Sequence, residues 1–238
     1  MVVLAHRGLT PPTENTIEAF GNAINAGADY LETDIRVTAD GVAVLTHDKD
    51  LRRVFGDRRR VRDVSLAELR TLTPIAGGHL ATLAEVLLKF PTARFNLDIK
   101  ENAAIKPTVA VIEEHSAHHR VLVSSFSNRR RLRALKMFSK PVATSASATV
   151  MVKAKIWEKL GVPLDQLLKG IGAVQVPPRM YGLKFNDPFF IKSVKDTKTQ
   201  IHFWTINDED EILELLELGA DGIVTDNTPL AIKVVEKF

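Results

Sequence analysis

The chain contains no cysteine among its 238 residues. It therefore cannot form disulfide bonds, cannot use a thiolate as a nucleophile and cannot bind zinc through sulfur. A composition without cysteine also suits a reducing compartment, which agrees with a cytoplasmic location.

Long apolar runs are missing as well. No segment reaches the roughly 18 uncharged apolar residues that a membrane-spanning helix needs. The N-terminal run Met1–Ala5 meets His6 and Arg7 at once, without the basic start, longer apolar core and cleavage site of a signal peptide. We therefore predict a cytoplasmic protein with no stable membrane insertion.

The chain has only a small excess of charge of one sign. There are 32 Lys and Arg against 29 Asp and Glu, a formal net charge of +3, which does not by itself indicate nucleic-acid binding. Arginine-rich runs at 52–62 and 129–133 are interpreted as solvated faces, because no recognition motif accompanies them. We expect no nucleic-acid partner, while weak attraction to an anionic membrane surface is the more favoured alternative. No pattern indicates an oligomeric state.

The sequence does contain a regular alternation of short apolar runs with helical patterns. Counting each strand with the helix that follows gives about eight units, which predicts a parallel (β/α)₈ barrel, a TIM barrel in the α/β class. We expect residues 1–238 to form one domain, and an open doubly wound sheet is the alternative. The strand candidates are Val2–Ala5, Tyr30–Val37, Phe95–Ile99, Val121–Ser125, Val142–Thr144, Ala173–Val176, Ile201–Thr205 and Gly222–Thr225.

Turn and cap signals mark several element boundaries. Asp40-Gly41 predicts a hairpin into a further strand at Val42–Thr46. Capping boxes, in which the first and fourth residues satisfy each other's amides, are predicted at Asn15, Ser65 and Thr82.

Two of the predicted strands, Tyr30–Val37 and Phe95–Ile99, carry carboxylates on one face. Because alternate strand residues share a face, Glu32 points the same way as Asp34, and Asp98 the same way as Asn96 and Lys100. We expect these faces to look into the barrel mouth. Buried carboxylates are costly unless they are paired or bind metal, and an all-oxygen set favours Mg²⁺ or Ca²⁺ over zinc. The alternative is that the carboxylates form salt bridges with Arg7, Arg36 and Lys100.

Two histidines directly follow predicted strands, where barrel enzymes carry their catalytic groups. His6 and His47 could each donate or accept a proton near neutral pH. Asp48 either orients the His47 imidazole or begins the following loop. Arg7 and Lys100 bring positive charge to the same mouth, and Gly8 would allow close backbone approach to an anion. This combination suits a phosphate ester, because cations stabilise phosphoryl oxygens while histidines move protons.

The same residues lie in stretches that resemble the glycerophosphodiester phosphodiesterase family, in its small cytoplasmic bacterial form. The matching stretches run nearly end to end and comprise Ala5-His6-Arg7-Gly8, Glu14-Asn15-Thr16, Gly27-Ala28-Asp29-Tyr30-Leu31-Glu32-Thr33-Asp34, His47-Asp48, Leu97-Asp98-Ile99-Lys100, Ser124-Ser125-Phe126, Trp204-Thr205-Ile206-Asn207 and Gly219-Ala220-Asp221-Gly222-Ile223-Val224-Thr225-Asp226. Their order and spacing together are specific.

The resemblance implies a barrel enzyme with one divalent cation, Mg²⁺ or Ca²⁺. It implies hydrolysis of glycerophosphodiesters, which are small molecules, to sn-glycerol 3-phosphate and an alcohol. The roles implied are metal ligation by Glu32, Asp34 and Asp98, acid–base catalysis by His6 and His47, phosphate contact by Arg7 and Lys100, and lining of the glycerol side by Trp204.

The chain departs from the family pattern at several points. The third metal carboxylate is usually Glu rather than Asp98, and the residue before Glu14 is usually Pro rather than Thr13. The pattern after His47-Asp48 is usually Arg-Thr-Thr but here reads Arg53-Val54-Phe55. The insertion after the second strand, which helps to shape the family's substrate pocket, is short in this chain.

Two other functions stay open as alternatives. One is a phosphodiesterase like sphingomyelinase D or lysophospholipase D, although the sphingomyelinase D toxins are secreted and disulfide-bonded, unlike a chain without cysteine. The other is a non-catalytic barrel that binds glycerophosphates, which would not need two proton-transfer groups. The preferred alcohol, the choice between Mg²⁺ and Ca²⁺, and the assignment of acid and base to the histidines also stay open.

Overall fold

Eight parallel strands surround the centre of the protein in the computed structural model, which describes residues 1–9 and 13–238. In chain order, the strands are β1 (Val2–His6), β2 (Tyr30–Val37), β3 (Ala43–Leu45), β4 (Arg94–Ile99), β5 (Val121–Ser124), β6 (Ala143–Thr144), β7 (Ala173–Val176), β8 (Arg179–Met180), β9 (Leu183–Lys184), β10 (Gln200–Phe203) and β11 (Gly222–Thr225). Strand β3 is antiparallel to β2, and β8 and β9 form a separate hairpin.

The parallel strands lie side by side in the order β6, β5, β4, β2, β1, β11, β10 and β7. The first and last strands of the chain, β1 and β11, pair along four residues, from Val2 opposite Gly222 to Ala5 opposite Thr225. Between β6 and β7 the ring closes at a single bridge, from Ser145 to Ala173. The predicted barrel is confirmed as a nearly closed ring of eight parallel strands.

Helices alternate with these strands and cover the outside of the ring. They are α1 (Ile17–Asn25), α2 (Arg52–Phe55), α3 (Leu66–Thr71), α4 (Leu83–Lys89), α5 (Ile105–Glu114), α6 (Asn128–Leu135), α7 (Ala148–Lys159), α8 (Asp165–Leu168), α9 (Pro188–Asp196), α10 (Glu209–Glu217) and α11 (Thr228–Lys237). In residues 1–9 and 13–238, we find no helix with the length and apolar character needed to cross a bilayer.

Local cap chemistry explains where several helices begin. The predicted capping boxes at Ser65 and Thr82 are confirmed. Each hydroxyl accepts a hydrogen bond from the backbone amide of the Glu three residues on, and the carboxylate of that Glu accepts one from the backbone amide of the cap residue. The prediction of Asn15 as the N-cap of α1 is wrong. The Thr16 hydroxyl accepts from the Ala19 amide instead, while Asn15 turns its side chain to Thr33 Oγ1 at 2.6 Å.

The short insertion after β2 is confirmed. The turn at Asp40-Gly41 leads into β3, and the chain then forms α2 and α3 before α4 begins. A small apolar cluster holds this insertion together and contains Val44, Leu51, Val61, Val64 and Leu69. His47 follows β3 directly, so the insertion carries this histidine to the barrel mouth.

A row of polar side chains crosses the interior of the barrel below its mouth. Asn96 donates to Gln175, Gln175 Nε2 donates to His202 Nδ1 at 3.3 Å, and His202 Nε2 donates to Gln200 at 3.2 Å. Burial lowers the pKa of His202 to about 4, so its imidazole is neutral at pH 7. The ring fits because position 222 is glycine, where a Cβ would lie 2.8 Å from the imidazole.

Candidate active site

The carboxyl ends of the parallel strands surround an open cavity of about 190 Å³. Side chains at strand ends gather there because parallel strands all finish at the same end of the ring. All eight residues predicted for the site line this cavity, namely His6, Arg7, Glu32, Asp34, His47, Asp98, Lys100 and Trp204. The structure therefore brings the predicted set together.

His6 lies at the end of β1 and is held from behind. Its Nδ1 donates to Asp226 Oδ1 at 2.7 Å, which leaves Nε2 facing Glu32 Oε2 at 3.9 Å. Burial lowers the pKa of His6, but the hydrogen bond to Asp226 and the charge of Glu32 raise it by more, so the net shift is upward. The hydrogen bond from His6 in turn lowers the pKa of Asp226.

His47 is held in the same manner on the other histidine-bearing loop. Its Nδ1 donates to Asp48 Oδ1 at 2.9 Å, so of the two roles considered for Asp48 the orienting contact is present. Arg53 Nε donates to the second oxygen of Asp48 at 2.5 Å, and the Arg53 guanidinium also reaches Glu14 at 2.6 Å. These contacts tie the insertion to the loop after β1.

The three carboxylates lie on neighbouring strands. Asp34 and Asp98 are opposite each other in the register of β2 and β4, and Lys100 Nζ lies 2.6 Å from an oxygen of each. Arg7 Nε is 3.1 Å from the other oxygen of Asp34. Two of the three salt-bridge partners considered from the sequence, Arg7 and Lys100, are thus in contact with these carboxylates. The third, Arg36, faces Glu101 instead.

These carboxylates experience both burial and mutual repulsion. Burial and the charge of Asp34 raise the pKa of Glu32 well above its usual range. Burial also raises the pKa of Asp98. For Lys100, burial lowers the pKa, but Asp98 and Asp34 raise it by more. Glu32 and Asp98 are therefore harder to ionise here than free carboxylic acids are.

The donor set can be tested for its fit to a divalent cation. In the described residues, no group of three or more His, Asp or Glu converges as a ligand cage. Glu32 Oε2 and Asp98 Oδ1 are nevertheless buried oxygens without a hydrogen bond, and such oxygens are costly unless a cation faces them. Carboxylate oxygens are the ligands that Mg²⁺ and Ca²⁺ prefer, so the residues fit a hard cation by their chemistry.

One wall of the cavity is apolar. Trp204, at the end of β10, packs edge-on against Phe126 with 5.9 Å between ring centroids. Ala146, Ala148 and Met151 continue this wall. The cavity is therefore divided between a charged side and an apolar side.

Sequence reasoning missed the residues that hold His6. Asp226 and Asn207 belong to the stretches matched to the family, yet their strand positions gave no reason to place them beside His6. The approach of an anion to Gly8 stays a prediction, but the structure shows another reason for glycine there, because a Cβ would meet the Ala19 backbone of α1 at 2.8 Å. Gly8 therefore lets α1 pack against the loop that carries His6 and Arg7.

Fold and mouth together place this protein among the barrel enzymes whose sites lie at the carboxyl ends of the strands. The chain belongs to the glycerophosphoryl diester phosphodiesterase family, whose sequence profile matches residues 6–230. The family resemblance and the classification as a phosphodiesterase are thereby confirmed.

Relatives of known name agree with this family. The chain is 39% identical to Probable glycerophosphodiester phosphodiesterase 2 of Mycobacterium tuberculosis, over 96% of this chain and 88% of that protein. It is 28% identical to a glycerophosphodiester phosphodiesterase of Caldanaerobacter subterraneus, over 99% of this chain and 98% of that protein.

Solved structures share the fold. A glycerophosphodiester phosphodiesterase from Thermotoga maritima matches with a TM-score of 0.77 and 26% identity, covering 98% of each chain. An Oleispira antarctica phosphodiesterase, solved in complex with the product sn-glycerol-3-phosphate, matches with a TM-score of 0.81 at 23% identity, covering 99% of this chain and 97% of that one. At that identity the second match supports the fold alone.

Proposed function

We propose that residues 1–238 act as one barrel domain that hydrolyses glycerophosphodiesters to sn-glycerol 3-phosphate and an alcohol, in the cytoplasm as the sequence predicts. Family membership and the names of the relatives support the substrate class. The observation that carries the catalytic part is the pair of histidines at one cavity, each with its Nδ1 bound to an aspartate.

The charged side of the cavity binds the phosphate. Glu32, Asp34 and Asp98 would hold the divalent cation, which supplies positive charge opposite the phosphate oxygens when bound. Arg7 and Lys100 add two further positive charges at the same place. Arg7 and Lys100 each form an ion pair with Asp34, and this contact orients both side chains before substrate binds.

The two histidines move protons at opposite ends of the reaction. One removes the proton of the nucleophile, either water or the glycerol hydroxyl of the substrate, and the other protonates the leaving alcohol oxygen. Because an aspartate holds each Nδ1–H, Nε2 is the nitrogen left for exchange with substrate. Trp204 and Phe126 offer an apolar surface to the carbon skeleton of the substrate.

Choline release from glycerophosphocholine, measured with and without EDTA, tests this proposal. We expect dialysis against EDTA to abolish release and Mg²⁺ or Ca²⁺ to restore it. Asp98→Ala should remain inactive after metal is added, whereas Asp98→Glu, which restores the usual family ligand, should be active. Full activity in the EDTA-dialysed protein would contradict the metal requirement. If no glycerophosphodiester is cleaved with either metal, the protein is a binding barrel.

Single histidine variants test the proton-transfer roles. His6→Ala and His47→Ala should each lower kcat by ~10²–10⁴, the usual contribution of acid–base catalysis, with little change in KM. A nitrophenyl diester needs little protonation of its leaving group, so it should rescue the variant that lacks the acid and not the other. Near-normal rates of both variants on glycerophosphocholine would show the two-histidine mechanism to be wrong.

A further inference from the structure

Positive charge is concentrated in one continuous part of the chain. Residues 115–157 contain nine Lys and Arg and no Asp or Glu. Because the whole chain has a net charge of only +3, the remainder is net acidic. The basic span forms β5, α6, β6 and α7, which are neighbours in the ring.

Four of these nine basic residues are used within the fold. Arg120 donates to backbone carbonyls in the last turn of α4 and just after it, and Arg130 donates to Ile99 O and Ser125 Oγ. Arg131 contacts Asn128 and Thr144. Lys155 is buried between Asp187 and Glu158.

The other five basic side chains point into solvent. Arg129, Arg133, Lys136, Lys140 and Lys153 are exposed. Within residues 1–9 and 13–238, none of them forms an ion pair or a side-chain hydrogen bond. Lys153 lies over the ring of Trp157, 4.5 Å from its centroid. Their charges therefore have no counterpart in the protein.

Exposed aliphatic side chains lie between these charges. Leu132 and Met137 are each 43% exposed beside Arg133 and Lys136. Ile156 on α7 is 45% exposed, and Leu160, which follows the helix, is 71% exposed. Helices α6 and α7 contact each other. We call the exposed basic and aliphatic residues of these two helices and of the segments that follow them the α6–α7 face.

We propose that the α6–α7 face docks this protein on an anionic phospholipid surface. Unpaired Lys and Arg match the negative charge of such a surface, and each contributes to binding close to the head groups. Exposed aliphatic side chains among them suit the boundary between head groups and acyl chains. A single-stranded nucleic acid is usually bound by exposed aromatic side chains on which bases stack, whereas Leu132, Met137, Ile156 and Leu160 are not aromatic and Trp157 is only partly exposed beneath Lys153.

The position of this face relates it to the cavity. Helices α6 and α7 begin beside Phe126 and Ala148, both of which line the cavity, and Phe126 is 50% exposed. A membrane lying along the two helices would therefore meet the protein at the edge of its mouth. Docking in this orientation leaves the mouth uncovered, with the edge at Phe126 next to the lipid surface.

Sedimentation of the full chain with vesicles tests the proposal. We expect binding to vesicles of phosphatidylcholine mixed with phosphatidylglycerol, no binding to phosphatidylcholine alone, and release by added salt because of screening. The double variant Arg133→Gln/Lys136→Gln should bind the mixed vesicles roughly 30-fold less tightly, as removal of two surface charges predicts. Leu132→Gln/Met137→Gln should also weaken binding while keeping the same dependence on salt.

A matched control lies on the opposite side of the ring. Lys233 and Lys237 are exposed on α11, which packs against β1, and Lys233→Gln/Lys237→Gln removes the same charge. This control should bind vesicles like the wild type, and all three double variants should cleave glycerophosphocholine at wild-type rates.

Three results would overturn the lipid proposal. The first is no binding of the wild type to anionic vesicles. The second is an equal loss of binding in the α6 variant and in the α11 control, which would indicate a general charge effect. The third is binding to DNA or RNA strands that depends on Arg133 and Lys136 in the absence of vesicle binding.

Discussion

Asp226 fixes the orientation of His6, one of the two histidines to which we assign proton transfer. Its two carboxylate oxygens are occupied by His6 Nδ1 at 2.7 Å and by Asn207 Nδ2 at 2.8 Å, and its own amide donates to Asn207 at 2.8 Å. The carboxylate therefore has one orientation, and it fixes both the tautomer and the direction of the imidazole. We regard Asp226 as a positioning residue for His6.

Asp226→Asn should lower kcat by ~10²-fold with KM nearly unchanged, because the imidazole would lose its orientation while the phosphate contacts remain. The response to the leaving group separates this role from a merely structural one. Asp226→Asn should show the same rescue, or lack of it, on a nitrophenyl diester as His6→Ala. Asp48→Asn should follow His47→Ala.

Asp196→Asn offers a control for this comparison, since in the part of the chain that the structure describes Asp196 pairs only with the exposed Lys192 on α9. It should leave both substrates unaffected. If Asp226→Asn lowers the rates on both substrates equally while His6→Ala does not, Asp226 does not act through His6.

Strand alternation was sufficient to predict the carboxylate side of the site. Glu32, Asp34 and Asp98 follow from the two-residue period of a strand, which depends on local geometry alone. The contact between His6 and Asp226 spans 220 positions of the chain. It depends on β1 lying next to β11, a pairing that periodicity does not specify.

At the scale of single elements, the carboxyl end of α4 depends on one distant side chain. The Arg120 guanidinium, at the start of β5, donates to Leu87 O at 2.8 Å and to Phe90 O and Ala93 O at 3.1 Å. The last carbonyls of a helix have no partner within the helix. Burial lowers the pKa of Arg120, and the three carbonyls compensate by accepting its protons in hydrogen bonds.

Arg120→Met should therefore lower the free energy of unfolding by about 2–4 kcal/mol, because it removes the donors while keeping an apolar stem beside Phe95. Urea unfolding at neutral pH measures this loss. Arg133→Met, which removes an exposed guanidinium from α6, is the control and should change stability by less than about 0.5 kcal/mol. Equal midpoints for the two variants would mean that solvent replaces Arg120 at the helix end.

Element boundaries were predicted well where the cap chemistry is local. Ser65 and Thr82 each compete with no other cap residue, and both begin helices as predicted. At Asn15 two cap residues stand in succession, and the tertiary contact with Thr33 selects Thr16 as the cap. The β8–β9 hairpin was not predicted, since strands of two residues are too short to show a period.

For the molecule as a whole, the neutral His202 makes stability depend on pH. An unfolded histidine takes up a proton as pH falls through 6.5, whereas burial holds the pKa of the folded His202 near 4. The charge of Asp221 opposes this shift, because it raises the pKa of His202. Between pH 6.5 and pH 4 the unfolded chain binds more protons at this histidine than the folded protein does. The contribution of His202 to stability is therefore complete above pH 6.5 and is lost as the pH falls toward 4.

We expect this one group to account for about 3 kcal/mol of the loss over that range. Urea unfolding of the wild type and of His202→Gln between pH 4 and pH 6.5 isolates the contribution of His202, because the carboxylates titrate equally in both proteins. The variant should show the flatter dependence on pH. Parallel curves would show that His202 accepts a proton in the folded barrel.

The closure of the ring has a consequence for rearranging the polypeptide. β1 and β11 pair along four residues, so the two ends of the chain belong to a well-paired part of the ring. Both ends of the chain lie at the end of the barrel opposite the mouth. Strand β1 starts at that end, and α11, which packs on β1, runs back from the mouth toward it. The junction of β6 with β7, held at Ser145 and Ala173, lies in mid-chain. A circular permutant could join the present ends through a short linker and begin anew at the exposed bend at 139–140. It would keep the paired strands intact, and its new ends would lie close to the β6–β7 junction, which contributes least to closure of the ring.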